Sequence, residues 1–226
     1  MGGGIKDQLG FAPENAFAGN DIRSLIDAQA QRRADHPFLI WEPFEGSAQI
    51  WNYGNFVEQL GRFAAGIIAE GVRPGDRVLI HLNNCPEQII SWLGCAYAGA
   101  VPVTTNTASS HEDLEYYAQH SAAVLAITEL QYAALFIGLS PTIKSVFATG
   151  DERLMIGGIR PFSDIDADLV TLIDRAYDPM APFGIQYTSG TTSRPKAVLW
   201  THANALWGAK VSAAHEDLRE DDVQLV

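Results

Sequence analysis

The chain is short of cysteine, of long apolar runs and of basic residues, and each shortage excludes a class of protein. Its two cysteines, Cys85 and Cys95, are too few for a disulfide-stabilised scaffold and lack zinc-finger spacing. The longest apolar stretch, residues 91–103, is interrupted by glycine and proline and is too short to span a bilayer. Residues 1–10 contain no apolar segment that could serve as a secretory signal. These features predict a cytoplasmic protein with reduced cysteines and no membrane span.

Basic residues are outnumbered, with 15 lysines and arginines against 27 aspartates and glutamates, for a net charge of −12. A protein that binds nucleic acid by neutralising phosphates needs the opposite balance, and so does a basic membrane-surface protein. The hydrophobic fraction of 47% and the charged fraction of 19% are ordinary for a globular chain. We therefore expect no nucleic-acid partner. The sequence leaves open whether the chain forms a homo-oligomer.

Strand and helix patterns alternate along most of the chain. Residues 53–70 form the clearest amphipathic helix, with apolar side chains at three- and four-residue steps. Short strands are predicted between helices at residues 77–82, 101–104, 123–127 and 145–148. This alternation is typical of βαβ units, so we predict an α/β fold, a mainly parallel sheet with flanking helices. Further predicted elements are a helix over residues 86–98 with Pro86 in its first turn, a helix over residues 129–138 and a strand over residues 224–226.

A glycine-rich connection over residues 150–168 suggests two parts of the chain. We predict a first α/β lobe over residues 1–150. Residues 151–226 are then the start of a second α/β lobe, which contains the loop described below.

One segment reverses the overall charge. Residues 179–215 contain no aspartate or glutamate, although about four are expected by proportion, and they contain Arg194, Lys196 and Lys210. An acidic protein that binds an anionic ligand needs such a local reversal of its electrostatic field. The segment is therefore a candidate for an anion site.

The reversed segment contains a hydroxyl-rich loop between two predicted strands, residues 183–187 and 197–200. Its sequence over residues 187–196 is YTSGTTSRPK. Polyphosphate binding needs several short donors and a mobile cation, which here are the loop hydroxyls, the loop amides and the ammonium of Lys196. Gly190 lets the backbone approach a ligand closely. The alternative, a solvated surface loop rich in Ser and Thr, is less compatible with the flanking strands and the acid-free surroundings.

Other phosphate-binding and catalytic motifs are excluded by spacing. A Walker A loop needs Gly-x-x-x-x-Gly-Lys followed by Ser or Thr, and no Ser or Thr follows Lys196. Neither the Gly-x-Ser-x-Gly of a nucleophile elbow nor the Gly-x-Gly-x-x-Gly of a dinucleotide fold occurs. His111 and Glu112 begin like a zinc-protease motif, but Glu115 stands where the second histidine belongs.

Residues 188–192, together with Pro195 and Lys196, resemble the phosphate-loop signature of the AMP-forming adenylating enzymes. That superfamily includes acyl-CoA synthetases, peptide-synthetase adenylation domains and luciferases. The similarity covers most of the chain in matching order, at residues 25–37, 53–76, 84–87, 98–103 and 221–223. Within the superfamily, residues 81–87 (HLNNCPE) and the pair Ser193-Arg194 are most similar to carnitine/crotonobetaine–CoA ligases.

The resemblance implies a two-step ligase that uses ATP, Mg²⁺ and coenzyme A. A carboxylate attacks the α-phosphate of ATP to give an acyl-adenylate and pyrophosphate, and the thiol of coenzyme A then displaces AMP. It also implies that Lys196 is catalytic and that the phosphates are bound by Thr188, Ser189, Gly190, Thr191, Thr192, Ser193 and Lys196. Thr191 is the expected protein contact of the metal ion.

Two other functions stay open. One is an adenylation domain that loads a carrier protein, and the other is a non-catalytic lobe that binds a nucleotide or a partner. The resemblance further implies that the 226 residues are the N-terminal portion of a longer ligase and are inactive alone.

Individual residues near the loop have competing interpretations. Ser193 and Ala197 stand where the family has glycine, which predicts altered loop mobility without loss of phosphate binding. Arg194 either contacts phosphate or stays solvated. His202 either contacts the nucleotide or, as we favour, is an ordinary residue at a helix start.

Overall fold

The computed structural model describes residues 17, 19–169, 174–188 and 194–225. The strands of these residues form a two-stranded hairpin and a seven-stranded sheet. The hairpin pairs β1 (Pro37–Trp41) with β2 (Gln49–Asn52). The larger sheet consists of β3 (Arg77–His81), β4 (Val101–Thr104), β5 (Ala123–Glu129), β6 (Ser145–Thr149), β7 (Arg160–Pro161), β8 (Pro182–Thr188) and β9 (Lys196–Thr201). Its spatial order is β7-β6-β5-β3-β4-β8-β9, and its neighbouring strands are parallel except for the pair β8–β9. The predicted mainly parallel sheet is confirmed.

The α-helices of the described residues are α1 (Ile22–Arg33), α2 (Tyr53–Ala69), α3 (Pro86–Ala98), α4 (His111–Ser121) and α5 (His202–His215). Local sequence explains several of their ends. The Asn52 side chain accepts the Asn55 amide at 2.8 Å and so caps α2. A reciprocal capping box between Ser110 and Asp113 begins α4. Gly99 ends α3 in the left-handed conformation, at φ 75°, that glycine adopts without strain.

Helices cover both faces of the sheet. On one face α1, α2 and α3 pack over a core that includes Phe56, Leu125 and Phe147. On the other face α4 and a 3-10 helix (Leu130–Phe136) pack over a core that includes Leu79 and Leu114. Successive side chains of a strand point to opposite faces, so each central strand contributes to both cores. We call strands β3–β6 with helices α2–α4 the platform.

Two predicted elements differ in the structure. The helix predicted over residues 129–138 is a 3-10 helix over Leu130–Phe136, because β5 extends to Glu129 and only eight residues remain before the chain turns at Gly138 (φ 70°). The strand predicted over residues 224–226 is wrong for Gln224 and Leu225, which have no hydrogen-bonded neighbour strand. Val226 lies outside the described residues.

Strands on both sides of residue 150 belong to the same sheet. The strands β3–β6 precede this residue, and β7–β9 follow it. The predicted connection over residues 150–168 contains β7 and two 3-10 helices, Glu152–Leu154 and Phe162–Asp164. The division into lobes 1–150 and 151–226 stays a prediction.

Among the described helices, none combines the length and the apolar character that crossing a membrane requires.

Candidate functional site

A β-hairpin carries the predicted phosphate loop. The strands β8 and β9 pair antiparallel, and their last registered pair places Thr188 opposite Lys196. The strands predicted at residues 183–187 and 197–200 are thereby confirmed. Because β8 runs parallel to β4, the loop end of the hairpin lies at the edge where the other parallel strands also end. Open α/β sheets bind ligands at this carboxyl edge. We call the Thr188–Lys196 end of the hairpin its mouth.

The five residues between the two strands lie outside the described residues. They are Ser189, Gly190, Thr191, Thr192 and Ser193. Their assignment to phosphate, and that of Thr191 to Mg²⁺, stays a prediction. In the parts of the chain that the structure describes, no group of three or more His, Cys, Asp or Glu side chains is placed to hold a metal ion.

Thr188 and Lys196 are both exposed at the mouth. The hydroxyl of Thr188 donates to the carbonyl oxygen of Lys196 at 3.4 Å, which is a long and weak hydrogen bond. The surrounding segment, residues 179–215, has no carboxylate that could neutralise the Lys196 ammonium from within it. The mouth therefore offers a cation and a hydroxyl to solvent, which are the groups that a phosphate ligand needs.

Ala197 is exposed and pairs with Tyr187 in the regular register of the hairpin. Its methyl group is therefore accommodated in the strand that returns from the loop. The predicted effect of Ala197 on loop mobility stays a prediction.

Rings of α4 surround Tyr187, the residue that precedes Thr188. The centroid of the Tyr187 ring lies 4.3 Å from that of Tyr117, 5.9 Å from that of Tyr116 and 5.7 Å from that of His120. The Tyr187 hydroxyl lies 2.8 Å from Nδ1 of His120. Burial raises the pKa of Tyr187 to about 12, so its hydroxyl stays protonated near neutral pH.

The residues that follow the loop contact the same helix. The hydroxyl of Tyr116 donates to the carbonyl oxygen of Pro195 at 3.1 Å. The guanidinium of Arg194 lies over the Tyr116 ring, 5.2 Å from its centroid, in a cation–π contact. The sequence patterns did not predict these contacts between α4 and the loop. The available signal was the placement of Tyr116 one helical turn before His120, which puts both side chains on one face of α4.

An open groove of about 840 Å³ lies at the same carboxyl edge of the sheet. Amide and hydroxyl side chains that follow β3 and β4 line much of it, namely Asn83, Asn84, Thr105, Asn106 and Thr107. The hydroxyl of Thr107 donates to the Asn83 side-chain oxygen at 3.0 Å. These side chains offer neutral donors and acceptors to a small polar ligand, and Glu42 adds a carboxylate to the groove.

His202 lies at the opposite end of β9 from Lys196. It is 3% exposed, its Nδ1 accepts the Ile22 amide at 3.4 Å, and its ring packs 4.9 Å from that of Phe183. Burial lowers the pKa of His202 to about 4. The favoured interpretation of His202 as an ordinary residue at a helix start is confirmed, and the nucleotide contact stays an untested alternative.

The fold and the hairpin define the class of protein. The family of AMP-binding enzymes matches residues 26–226, and the chain belongs to that family. The predicted resemblance to the adenylate-forming enzymes is thereby confirmed.

A curated relative is similar to this chain over most of its length. The crotonobetaine/carnitine–CoA ligase of Salmonella paratyphi A is 33% identical to this chain over 215 residues. These residues are 92% of this chain and 41% of the relative, so the chain spans less than half of the length of that protein. The similarity to carnitine/crotonobetaine–CoA ligases, predicted from residues 81–87 and 193–194, is also confirmed.

Solved structures share the fold. The apo structure of MbtA from Mycobacterium smegmatis has a TM-score of 0.80 at 25% identity, over 98% of this chain and 41% of that one. A long-chain-fatty-acid–CoA ligase (FadD1) from Archaeoglobus fulgidus has a TM-score of 0.73 at 23% identity, over 90% of this chain and 41% of that one. The sheet with its flanking helices matches the N-terminal part of the adenylate-forming fold.

Proposed function

We propose that this chain supplies the phosphate-binding hairpin of an ATP-dependent carboxylate–CoA ligase. In the first step a carboxylate oxygen bonds to the α-phosphorus of ATP and the bond to pyrophosphate breaks, which leaves an acyl-adenylate. In the second step the sulfur of coenzyme A bonds to the acyl carbon, and AMP leaves with the electrons of the broken C–O bond. Membership of the family and the name of the 33% identical relative support this proposal.

The observation that carries the proposal is the pairing of Thr188 and Lys196 at the exposed mouth. In this proposal the Lys196 ammonium binds the terminal phosphates and stabilises the negative charge that builds on pyrophosphate as it leaves. The Thr188 hydroxyl, which has only a 3.4 Å hydrogen bond to Lys196, is available to donate to a phosphate oxygen instead.

Residues 189–193 complete the loop in this proposal, on the evidence of the sequence alone. Mg²⁺, bound together with ATP, supplies charge neutralisation of the phosphates, and the Thr191 hydroxyl is its proposed protein contact. The polar groove beside β3 and β4 is the proposed place for a polar part of the acid or of coenzyme A. A betaine-type acid is the first substrate to test, because the relative is named for crotonobetaine and carnitine.

Carboxylate-dependent ATP–pyrophosphate exchange tests the proposal. Because the chain spans 41% of its relative, we expect no exchange from the 226 residues alone. We expect exchange from a chimera in which these residues replace the matching segment of the Salmonella ligase. In the chimera, Lys196→Ala should slow exchange by about 100-fold or more. Lys210→Ala is the matched control, because Lys210 is an exposed lysine on α5 in the same acid-free segment.

Other outcomes would favour other functions. Exchange followed by transfer to a carrier-protein thiol, but not to coenzyme A, would identify an adenylation domain. Binding of Mg·ATP by the 226 residues, with no exchange in a folded chimera, would identify a non-catalytic nucleotide-binding lobe. Equal exchange rates for Lys196→Ala and Lys210→Ala would contradict the role of Lys196.

A further inference from the structure

We propose that Tyr116 is a positioning residue for the phosphate-binding hairpin. Through Arg194 and Pro195 it fixes the start of β9, so that Lys196 faces the ligand. This inference rests on the proposed function, and it adds a residue from an element, α4, that is distant in sequence from the loop.

Strand pairing alone holds the mouth of the hairpin weakly. Within the part of the chain that the structure describes, β9 is at the edge of the sheet and pairs only with β8. Its side chains are exposed, including Val198 at 42%, Leu199 at 56% and Trp200 at 39%. An edge strand with little packing opens more readily than a buried one. The position of Lys196 therefore needs a second support.

Tyr116 provides this support through one side chain that holds two consecutive residues. Its hydroxyl binds the carbonyl oxygen of Pro195 at 3.1 Å, and its ring lies under the guanidinium of Arg194. The Pro195 carbonyl belongs to the peptide unit that leads directly into Lys196. Fixing this planar unit restricts the direction in which β9 leaves the loop.

The helix that carries Tyr116 is itself firmly held. The neighbouring side chains Leu114 and Ala118 are fully buried, and Tyr117 is 9% exposed. The same part of α4 also contacts β8 beside the loop, since Nδ1 of His120 lies 2.8 Å from the Tyr187 hydroxyl. Both ends of the hairpin mouth are thus attached to one turn of α4, and through it to the platform.

The test compares two tyrosines with the same local geometry. Tyr177 also donates a 3.1 Å hydrogen bond, to Asp27, and also has an arginine over its ring, Arg23 at 5.1 Å. It lies outside the hairpin. Tyr116→Phe should raise the Kd of the 226-residue chain for Mg²⁺-pyrophosphate by about three- to tenfold, which corresponds to one hydrogen bond. Tyr177→Phe should leave the Kd unchanged.

A double-mutant cycle separates positioning from a general loss of stability. Tyr116→Leu removes the hydroxyl and the ring, and we expect a larger loss of affinity than for Tyr116→Phe. If Tyr116 acts through Arg194, then the double variant Tyr116→Leu/Arg194→Gln should weaken binding by much less than the product of the two single effects. Backbone amides of residues 196–198 should also exchange with solvent faster in Tyr116→Leu than in Tyr177→Leu.

Each result decides between the two proposals. An unchanged Kd for Tyr116→Phe in a chain that binds pyrophosphate would overturn the positioning role and leave the proposed function standing. A lower Tm with an unchanged Kd would also overturn it, because it would show a structural role only. Wild-type chain that binds neither pyrophosphate nor ATP would count against the proposed function, and the positioning role would fall with it.

Discussion

The platform and the β8–β9 hairpin are opposite in character, although they share one sheet. In the platform, Leu79, Leu125 and Ile127 are at most 1% exposed, between helices on both faces. In β9, Leu199 and Trp200 are 56% and 39% exposed. The platform therefore holds most of the buried apolar surface that stabilises the fold, whereas the hairpin carries the groups suited to bind an anion. The difference shows that stability and the proposed chemistry are assigned to separate parts of the molecule.

Polar contacts link the hairpin and the residues beside it to helices α4 and α1. At the mouth the contacts come from α4, as described above. At the other end of the hairpin, Asp21 and Arg23 form a buried ion pair of 2.6 Å, and Arg23 also donates to the Ala176 carbonyl at 2.9 Å. The adjacent Ile22 amide donates to His202. These contacts hold the hairpin and the residues beside it against α4 and the start of α1.

The largest expected difference between the two regions is in the cost of removing a leucine. Leu125→Ala in β5 should lower the free energy of unfolding by about 3 to 4 kcal/mol, because it leaves a cavity in a closed core. Leu199→Ala in β9 should lower it by less than about 1 kcal/mol, because that side chain is already half exposed. Urea unfolding of both variants measures this. Equal losses would show that β9 is buried in solution and would contradict the contrast between the platform and the hairpin.

The next largest effect concerns the buried ion pair below the hairpin. Asp21→Asn should lower the free energy of unfolding by about 2 to 3 kcal/mol, because the Arg23 guanidinium then lacks its buried counter-charge. The matched control is Asp151→Asn, which removes an ion pair of similar length, 2.7 Å, to the largely exposed Arg153. We expect less than about 0.5 kcal/mol there. A small effect at Asp21 would mean that this ion pair does not stabilise the attachment of residues 175–176, which precede the hairpin, to the start of α1.

Acid should destabilise the protein through two buried histidines, His81 in the platform and His202 directly after the hairpin. Burial lowers the pKa values of His81 and His202 to about 4, from an ordinary value of 6.5. The unfolded chain therefore binds more protons between pH 6.5 and 4, and stability falls as the pH drops through this range. Each histidine contributes a loss of at most about 2 kcal/mol between pH 7 and 5. The slope of unfolding free energy against pH should be smaller in His202→Gln, and unchanged in the control His36→Gln at an exposed site.

The smallest effect on stability is expected at the mouth itself. Thr188→Val removes a 3.4 Å hydrogen bond and should change the free energy of unfolding by less than about 0.5 kcal/mol. It should nevertheless weaken Mg·ATP binding by about three- to tenfold, because a phosphate donor is lost. Calorimetry and urea unfolding on the same preparation measure both. A large stability loss with unchanged affinity would reverse the assignment of roles.

Sequence patterns predicted the platform well because its elements are long, periodic and capped. Residues 53–70 were predicted as a helix and α2 covers Tyr53–Ala69. Predictions and structure agree fully for α3 (Pro86–Ala98) and β4 (Val101–Thr104). Pro86 at the first turn of α3 and the left-handed Gly99 after its last turn are strong local signals. The 3-10 helix was harder to predict, because a short and mostly apolar run of seven residues fits several structures.

The candidate site was predictable only in its sequence-local part. The motif placed Thr188 and Lys196 together, since a hairpin joins residues close in sequence. It did not reveal Tyr116, because the contact with Pro195 spans 79 residues and depends on how α4 packs beside β8. His202 was ambiguous for the same reason, because its partner Ile22 lies 180 residues away.

Chemical-shift mapping of the 226-residue chain with Mg·ATP tests the central claim most directly. We predict shifts in the backbone amides of Tyr187, Thr188, Lys196 and Ala197, small changes across the platform, and loss of these shifts in Lys196→Ala but not in Lys210→Ala. The absence of shifts at the mouth, or shifts that survive in Lys196→Ala, would contradict the claim that this hairpin binds phosphate.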